Sequence, residues 1–272
     1  MRIVVVGGTG LIGSKLVSGL GARGHEVVAA SRRTGVDTLT GEGLAAALAG
    51  AAVVVDVTDS PSAGDGAVME FFETSTRNLL AAEAAAGVGH HVALSVVGTG
   101  RPPGRGRFRA KAVQERLVET SPVPYSIVRA TQFFESARAI AAAAAADCKI
   151  RMAPVYFQPV AADDVAEILG AIAAGRPLNG RAEVAGPERF RMDAFFRHAM
   201  PAWNDHREVL TDPRAPYLGA ELDERTLLPG EGALLGTVRY GDWPGRIAVG
   251  GRIAPIRLAP VRRRRLTSYA RH

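Results

Sequence analysis

The stretch that decides the fold is Met1-Arg-Ile-Val-Val-Val-Gly-Gly-Thr-Gly-Leu-Ile-Gly13. Its apolar, β-branched residues Ile3 to Val6 predict a buried strand, and the segment from Leu11 to Ala22 predicts a helix with one apolar side. The glycines between them follow the spacing Gly7-x-x-Gly10-x-x-Gly13. A strand, a glycine-rich turn and a helix in this order are the context in which such a motif indicates dinucleotide binding.

Each glycine of the motif has its own expected role. Gly7 permits the tight turn, Gly10 lets backbone N–H groups approach a pyrophosphate, and Gly13 packs the helix on the strand. The helix N-terminus offers free N–H groups and a positive dipole end to the phosphates. The predicted cofactor contacts in this segment are Gly7, Thr9, Gly10, Leu11, Ile12 and Gly13. The alternative is a tight strand–helix turn that binds no ligand.

The end of the second strand, Glu26 to Ala30, indicates which dinucleotide is bound. A site for NAD has a carboxylate near this point, which hydrogen-bonds the ribose 2′-hydroxyl. Here Ser31, Arg32 and Arg33 follow instead, and the first acid is Asp37. A hydroxyl and two guanidiniums suit a 2′-phosphate, because Arg presents fixed donors to phosphate oxygens. We therefore favour NADP(H) over NAD(H); the alternative is a solvated basic loop.

The rest of the chain alternates strands and helices. The further predicted strands are 52–57, 91–95, 125–129, 157–160 and 182–185, and the further predicted helices are 44–48, 66–86, 108–119, 141–146, 163–174 and 192–200. This alternation predicts an α/β fold, a doubly wound parallel sheet of the Rossmann type with right-handed crossovers. Val57 and Thr58, where the third strand ends, are added to the predicted cofactor contacts.

The sequence predicts one Rossmann domain over residues 1–243 with a small substrate-side lobe, formed mainly by about 130–155 and 200–243. Residues 244–272 contain eight Arg and no acid, so they form a basic tail that we expect to be disordered. Removing them leaves 25 basic against 27 acidic residues, although the whole chain has a net charge of +6. The run Arg262 to Arg265 could bind nucleic acid, but a solvated tail without a partner is favoured.

Several classes of protein are disfavoured by composition. The single cysteine, Cys148, rules out an intramolecular disulfide and a multi-cysteine metal site, and we expect no metal. No apolar run reaches the length of a membrane span. The chain starts directly in a strand, so no signal peptide is expected, and we expect a cytoplasmic protein with a small-molecule substrate and no membrane partner.

The sequence resembles the atypical short-chain dehydrogenase/reductases, with most similarity to the NmrA-like and NAD(P)H-quinone-reductase-like branch. The resemblance covers about residues 1 to 240. The segments that carry it are Gly7–Gly13, Val92–Gly98, Phe108–Lys111, Tyr125–Thr131 and Val184–Pro187.

The resemblance implies roles for two further residues. Ser95 stands where such proteins often carry a catalytic serine, and Lys111 stands where the lysine of the Tyr-x-x-x-Lys pair lies. That lysine typically holds the nicotinamide ribose and lowers the pKa of the tyrosine. Four residues before Lys111, however, this chain has Arg107, which is not a proton donor near neutral pH. Ser95 and Lys111 are thus candidate catalytic residues and candidate cofactor contacts.

A candidate substrate pocket follows the fifth strand. Its residues are Thr131, Gln132, Phe133 and Phe134. Ligands of open α/β sheets bind at the carboxyl ends of the strands, which is where this segment lies. The alternative is that the two phenylalanines only pack in the core.

Together these features favour an NADP(H)-dependent oxidoreductase that reduces a small organic acceptor, a quinone or another carbonyl compound. The alternative is a non-catalytic NADP(H)-binding sensor of the NmrA type, which the arginine at position 107 favours. A third hypothesis, a nucleotide-sugar epimerase or dehydratase, is weakened by the absence of the tyrosine and by the short C-terminal region.

Overall fold

The computed structural model describes residues 1–62, 64–101, 106–217 and 219–246. Its strands are β1 (Arg2–Val6), β2 (Glu26–Ala30), β3 (Val53–Asp56), β4 (His90–Val96), β5 (Tyr125–Ala130), β6 (Ala145–Ala146), β7 (Lys149–Met152), β8 (Tyr156–Phe157), β9 (Gly180–Ala185), β10 (Phe190–Arg191), β11 (Glu208–Thr211) and β12 (Leu234–Leu235). Its α-helices are α1 (Leu11–Ala22), α2 (Leu44–Leu48), α3 (Asp65–Ala86), α4 (Gly106–Thr120), α5 (Ala137–Ala143), α6 (Ala162–Ala174) and α7 (Met192–Ala202).

Seven strands form one parallel sheet in the order β12-β9-β5-β4-β3-β1-β2. The strand order reverses beside β1, because β2 lies on one side of it and β3 on the other. This reversal is the switch point at which open α/β sheets bind ligands. The predicted Rossmann fold is confirmed.

Both faces of the sheet are covered by helices, since successive side chains of a strand point to opposite faces. On one face Ile3 and Val5 of β1 pack with Leu16 of α1 and Leu169 of α6. On the other face Val4 and Val6 pack with residues of α2 and α3. The strands are therefore buried on both sides, which explains their continuous runs of valine and isoleucine.

A second core is built from aromatic residues beyond the carboxyl edge of the sheet. Phe157, Phe195 and Tyr240 belong to it, with 4.6 Å between the ring centroids of Phe195 and Tyr240. This core includes β10 and α7. The lobe was predicted to comprise about residues 130–155 and 200–243, so it also contains residues between these two segments. Trp243 packs against Phe134, with 5.6 Å between ring centroids.

Three local predictions need correction. The helix expected at 141–146 is α5, which ends at Ala143, and Ala145–Ala146 pair with β7 as a short strand. The strand expected at 157–160 is only Tyr156–Phe157. Pro244–Arg246 form a 3₁₀ turn, although they were expected to begin the disordered tail. The remainder of that tail, and positions 102–105 of the loop before α4, lie outside the described residues.

Within the described residues, no helix is both long enough and apolar enough to span a membrane.

Two buried histidines begin β4, at the edge of the sheet opposite the carboxyl ends. His91 Nδ1 lies 2.8 Å from Glu83 Oε1 in α3, and His90 Nε2 lies 2.8 Å from the Ser126 hydroxyl in β5. Burial, reinforced by the neighbouring charge of His91, lowers the pKa of His90 from 6.5 to about 4. These contacts give both histidines a structural role.

The lowered pKa of His90 predicts acid destabilisation. Protonation favours the unfolded chain, so this contribution to stability is complete above about pH 6.5 and is lost as the pH falls towards 4. The loss from His90 by pH 4 is about 3 kcal/mol, taking 1.36 kcal/mol per pKa unit. Urea unfolding at pH 7.5 and pH 4 measures this loss. Between these pH values the free energy of unfolding of His90→Gln should fall by about 3 kcal/mol less than that of the parent protein. The partly exposed His25→Gln is the control, and an equal loss in both variants would contradict the assignment.

Candidate functional site

A large cleft lies along the carboxyl ends of β1 to β5. Its volume is about 830 Å³, which is in the range of small-molecule and cofactor sites. The glycine turn lines one part of it, the segment after β2 lines another, and the start of α4 lines a third. The cleft thus joins most of the residues that the sequence singled out.

The glycine turn has the geometry that its sequence predicts. Gly7 has a φ of +84°, a left-handed conformation that glycine adopts readily. A Cβ on Gly13 would clash with the Gly7 carbonyl oxygen, so the glycine lets α1 pack on the turn. Gly13 is not among the residues that line the cleft. Gly10, by contrast, lines the cleft, and a Cβ there would meet only that carbonyl oxygen, at 3.3 Å.

The N-terminus of α1 opens into the same space. Gly10 is its N-cap, no side chain caps the helix, and its first turn contains no acidic residue. The first N–H groups of the helix are therefore available to a ligand, together with the positive end of the dipole. Thr9, Leu11 and Ile12 also line the cleft here.

The segment after β2 forms a basic rim. Ser31 precedes a short 3₁₀ turn at Arg32–Thr34, and its N–H donates to Thr34 Oγ1 at 2.8 Å. Ser31, Arg32 and Arg33 all line the cleft, and both arginines are exposed. Neither guanidinium forms an ion pair with any residue that the structure describes. Asp37 lines the cleft too, with Oδ1 accepting the Leu39 N–H at 2.8 Å.

A buried network beneath the cleft holds Lys111. Its ammonium donates to the Leu94 carbonyl and to Gln114 Oε1, each at 2.8 Å, and lies 4.2 Å from the centre of the Phe72 ring. Gln114 in turn donates to Asp56 Oδ2 at 2.9 Å. Burial lowers the pKa of Lys111, while the Asp56 carboxylate opposes that effect. Two of the three ammonium protons have acceptors among the described residues, and Lys111 lines the cleft, where a ligand can accept the third.

Asp56 also fixes the residues that follow β3. Its Oδ1 accepts the Thr58 N–H at 2.9 Å and the Thr58 hydroxyl at 2.7 Å. Val57 and Thr58 both line the cleft next to the glycine turn. A carboxylate on β3 thus connects the position of Thr58 to that of Lys111, through Gln114.

Ser95 lines the cleft, but its hydroxyl proton is directed elsewhere. Ser95 Oγ donates to Glu115 Oε1 at 2.6 Å, and Glu115 also accepts two hydrogen bonds from Arg129, at 2.9 and 2.6 Å. A hydroxyl that donates to this buried carboxylate does not have its proton free for a substrate. The geometry therefore favours Ser95 as a structural contact over the catalytic role that the resemblance implied.

Arg107 occupies the position one helical turn before Lys111, and it lines the cleft. Its guanidinium forms an ion pair with Asp59, which also lines the cleft after β3. The position at which the resemblance implies a tyrosine therefore carries a charge-paired arginine.

The segment after β5 is divided between the cleft and the core. Thr131, Gln132 and Phe133 line the cleft, and the Thr131 hydroxyl donates to the Gln158 carbonyl at 2.6 Å. Phe134 does not line it; its ring is buried in the aromatic core, 5.4 Å from the centre of the Tyr240 ring. The prediction of Phe134 as a pocket residue thus needs correction, because the chain turns into a 3₁₀ segment at that point.

Comparison with known proteins decides the family. A family model described as NAD(P)H-binding matches residues 7–174, which are more than half of the chain and include the glycine turn, Ser95 and Lys111. The chain belongs to the NAD(P)H-binding family. No curated protein matches it.

Solved structures with the same fold include enzymes of nucleotide-sugar metabolism. UDP-glucose 4-epimerase from Thermus thermophilus, complexed with NAD, is 20% identical with a TM-score of 0.63, over 84% of this chain and 90% of that one. dTDP-4-dehydrorhamnose reductase from Bacillus anthracis str. Ames, complexed with NADP, is 14% identical with a TM-score of 0.62, over 78% and 84%. A short-chain dehydrogenase/reductase superfamily protein from Agrobacterium tumefaciens with bound NAD is 18% identical with a TM-score of 0.59, over 78% and 85%.

The resemblance to atypical short-chain dehydrogenase/reductases is confirmed at the level of this family. The narrower NmrA-like or quinone-reductase-like assignment stays a prediction. At these identities the neighbours establish a fold shared by NAD(P)-binding oxidoreductases and epimerases.

The cleft of this NAD(P)H-binding protein fits a nicotinamide dinucleotide. Gly10 leaves open the space beside the uncapped start of α1, where a pyrophosphate needs backbone donors. The basic rim lies at the end of β2, where a ribose is recognised in this fold. Lys111 and Gln132 line the cleft further along the sheet, and both amide atoms of Gln132 lack a hydrogen bond of normal geometry to a described residue.

Sequence-based reasoning missed one polar residue of the cleft that comes from the C-terminal lobe. Tyr217 lines the cleft and is only 8% exposed. It lies in an irregular segment beyond residue 205, where no periodic pattern indicates which side chains face a ligand. It also lies outside the residues that match the family model.

Proposed function

We propose that this protein is an NADP(H)-dependent oxidoreductase that reduces a small organic acceptor, a quinone or another carbonyl compound. The observation that carries the proposal is the composition of the cleft. At the end of β1 lies the uncapped start of α1. At the end of β2 lie two arginines that form no ion pair with a described residue. Further along the cleft lie Lys111, Gln132 and Tyr217.

The basic rim supports NADP(H) over NAD(H). Arg32 and Arg33 are exposed and form no ion pair with a described residue, so they can meet a 2′-phosphate without breaking an existing contact. Asp37 also lines the cleft, but it lies four residues beyond Arg33 and its Oδ1 accepts the Leu39 N–H. The guanidiniums stand directly after β2, where a 2′-hydroxyl-binding carboxylate would be expected.

The residues of the chain have distinct tasks in this proposal. The start of α1 and the glycine turn hold the pyrophosphate, and Lys111 donates its remaining proton to the nicotinamide ribose. When bound, the reduced nicotinamide supplies a hydride to the acceptor. Thr131, Gln132 and Phe133 form the wall against which the acceptor lies.

The proposal is tested by NADPH consumption with a panel of quinones, aldehydes and ketones. We expect turnover with at least one acceptor class, and faster turnover with NADPH than with NADH. A protein that binds NADPH but consumes none with any acceptor would instead be the redox sensor.

Changing both Arg32 and Arg33 to Ala should weaken the binding of NADPH more than the binding of NADH. The lost charge-assisted hydrogen bonds correspond to about 1–3 kcal/mol, or roughly 5- to 150-fold in the dissociation constant for NADPH. Calorimetric titration of both cofactors measures the difference. Changing the exposed Arg116 and Arg176 to Ala removes the same charge elsewhere and should leave both affinities unchanged. Equal affinity of the parent protein for NADPH and NADH would contradict the assignment of the rim.

A further inference from the structure

Tyr217 is held against the helix that carries Arg107 and Lys111. Its N–H donates to the Ala220 carbonyl at 2.8 Å, and the Ala220 N–H donates back to the Tyr217 carbonyl at 3.0 Å. Gly219 packs on the first residue of α4, since a Cβ on Gly219 would lie 3.4 Å from the Cα of Gly106. The backbone that positions Tyr217 is thus in contact with the start of α4.

The Tyr217 side chain points into a partly polar corner of the cleft. Its ring centroid is 6.4 Å from that of Phe108, which provides an apolar wall. The Gln132 side chain lies within hydrogen-bonding reach of the Tyr217 hydroxyl, and the charge of Arg107 acts on the same hydroxyl. Gln132 is 6% exposed, and neither its amide nitrogen nor its amide oxygen has a hydrogen bond of normal geometry to a described residue. The Gln132 amide and the Tyr217 hydroxyl thus lie close together, and the amide has hydrogen-bonding capacity left for a ligand oxygen beside the phenol.

We propose that the Tyr217 hydroxyl donates the proton to the acceptor oxygen, and that the Gln132 amide holds this oxygen beside it. This inference rests on the proposed function and specifies its substrate class as an uncharged carbonyl compound or quinone. Arg107, the cation whose charge acts on the Tyr217 hydroxyl, is already paired with Asp59. An anionic acceptor beside Tyr217 would therefore have to compete with the Asp59 carboxylate for this guanidinium, whereas an uncharged acceptor would not.

The proton and electron balance is complete with this donor. With an aldehyde or ketone, the carbonyl carbon receives the hydride that the reduced nicotinamide supplies, and the electron pair of its C=O bond moves to the oxygen. That oxygen then takes the proton of Tyr217, whose O–H bond breaks as the new O–H bond forms. The phenolate regains a proton from water in the open cleft.

The electrostatic surroundings of Tyr217 suit a donor at neutral pH. Burial raises the pKa of Tyr217, so its hydroxyl stays protonated until the acceptor becomes basic. Gln132 and the charge of Arg107 act in the opposite direction and lower the pKa. Arg107 therefore stabilises the phenolate that remains after proton transfer, although it cannot itself donate a proton.

The test compares Tyr217→Phe with Tyr125→Phe, a half-buried tyrosine at the start of β5 that does not line the cleft. With a ketone or aldehyde that the parent protein reduces, Tyr217→Phe should lower kcat about 100-fold, the size of a lost general acid. Both variants should keep the parent dissociation constant for NADPH. Tyr125→Phe should keep the parent kcat.

A second measurement does not depend on turnover. Calorimetry of the protein saturated with NADP⁺ measures binding of the alcohol product of the same acceptor. Tyr217→Phe and Gln132→Leu should each weaken this binding about 2- to 10-fold, as expected for one lost hydrogen bond. Unchanged kcat and unchanged alcohol binding in Tyr217→Phe would overturn the inference while leaving the proposed function intact. A parent protein that reduces no acceptor would overturn both.

Discussion

Replacing Gly10 with Val should abolish NADP(H) binding while the protein stays folded. The backbone of Gly10 has φ −83° and ψ −175°, which valine adopts without strain. A Cβ there would lie 3.3 Å from the Gly7 carbonyl oxygen, a tight contact, with no other neighbour within 4 Å, so the branched side chain would extend into the part of the cleft proposed for the pyrophosphate. Losing two charge-assisted hydrogen bonds at about 1.5–3 kcal/mol each weakens binding by roughly 10²- to 10⁴-fold.

Gly19→Val is the matched control, because Gly19 lies in the same helix and a Cβ there would meet nothing within 4 Å. Its NADPH affinity should equal that of the parent protein in the same calorimetric titration. Circular dichroism and urea unfolding establish that both variants are folded. A folded Gly10→Val protein with parent affinity would show that the pyrophosphate does not lie at this turn.

Replacing Glu115 with Ala should lower the free energy of unfolding by about 3–5 kcal/mol, because it leaves the half-buried Arg129 without its carboxylate partner. Glu115 is 2% exposed and accepts hydrogen bonds from Ser95 and Arg129, and Arg181 lies 3.4 Å from its second oxygen. Urea unfolding measures the change in the free energy of unfolding.

Two variants bracket this effect. Glu115→Gln keeps an oxygen for Arg129 and should cost less than Glu115→Ala. Glu167→Ala removes an exposed carboxylate that lies 3.6 Å from Arg23, a surface pair expected to contribute about 0–1 kcal/mol. If Glu115→Ala cost no more than Glu167→Ala, the proposed contribution of the Glu115 carboxylate and its contacts with Ser95 and Arg129 to stability would be wrong.

The sheet and its helices could be predicted because each element has its own local pattern. The predicted bounds of α1 and β2 agree with the structure, since α1 follows Gly10 with an apolar face and β2 is a short apolar run that ends before Ser31-Arg32-Arg33. The alanine-rich stretch after α5 has no such pattern: alanine favours helix, but pairing with β7 places Ala145–Ala146 in a strand. There tertiary contacts override local preference.

The candidate site could be predicted only where it is local in sequence. The glycine turn and the basic rim each lie within a few residues of a strand end. Asp56, Glu115 and Tyr217 were not predicted, because their positions depend on contacts between distant segments. Lys111 and Glu115 are one helical turn apart, yet Lys111 connects through Gln114 to Asp56, whereas Glu115 binds Arg129. No sequence spacing distinguishes these two environments.

A single turnover under anaerobic conditions distinguishes an oxidoreductase from a protein that only binds NADPH. The protein with one equivalent of NADPH is mixed with an excess of each quinone or carbonyl acceptor, and NADPH absorbance and reduced product are followed together. We predict that, with at least one acceptor, one NADPH is lost and one reduced product forms per chain. The Gly10→Val protein should show no such reaction. NADPH that stays bound and reduced with every acceptor would contradict the assignment as an oxidoreductase.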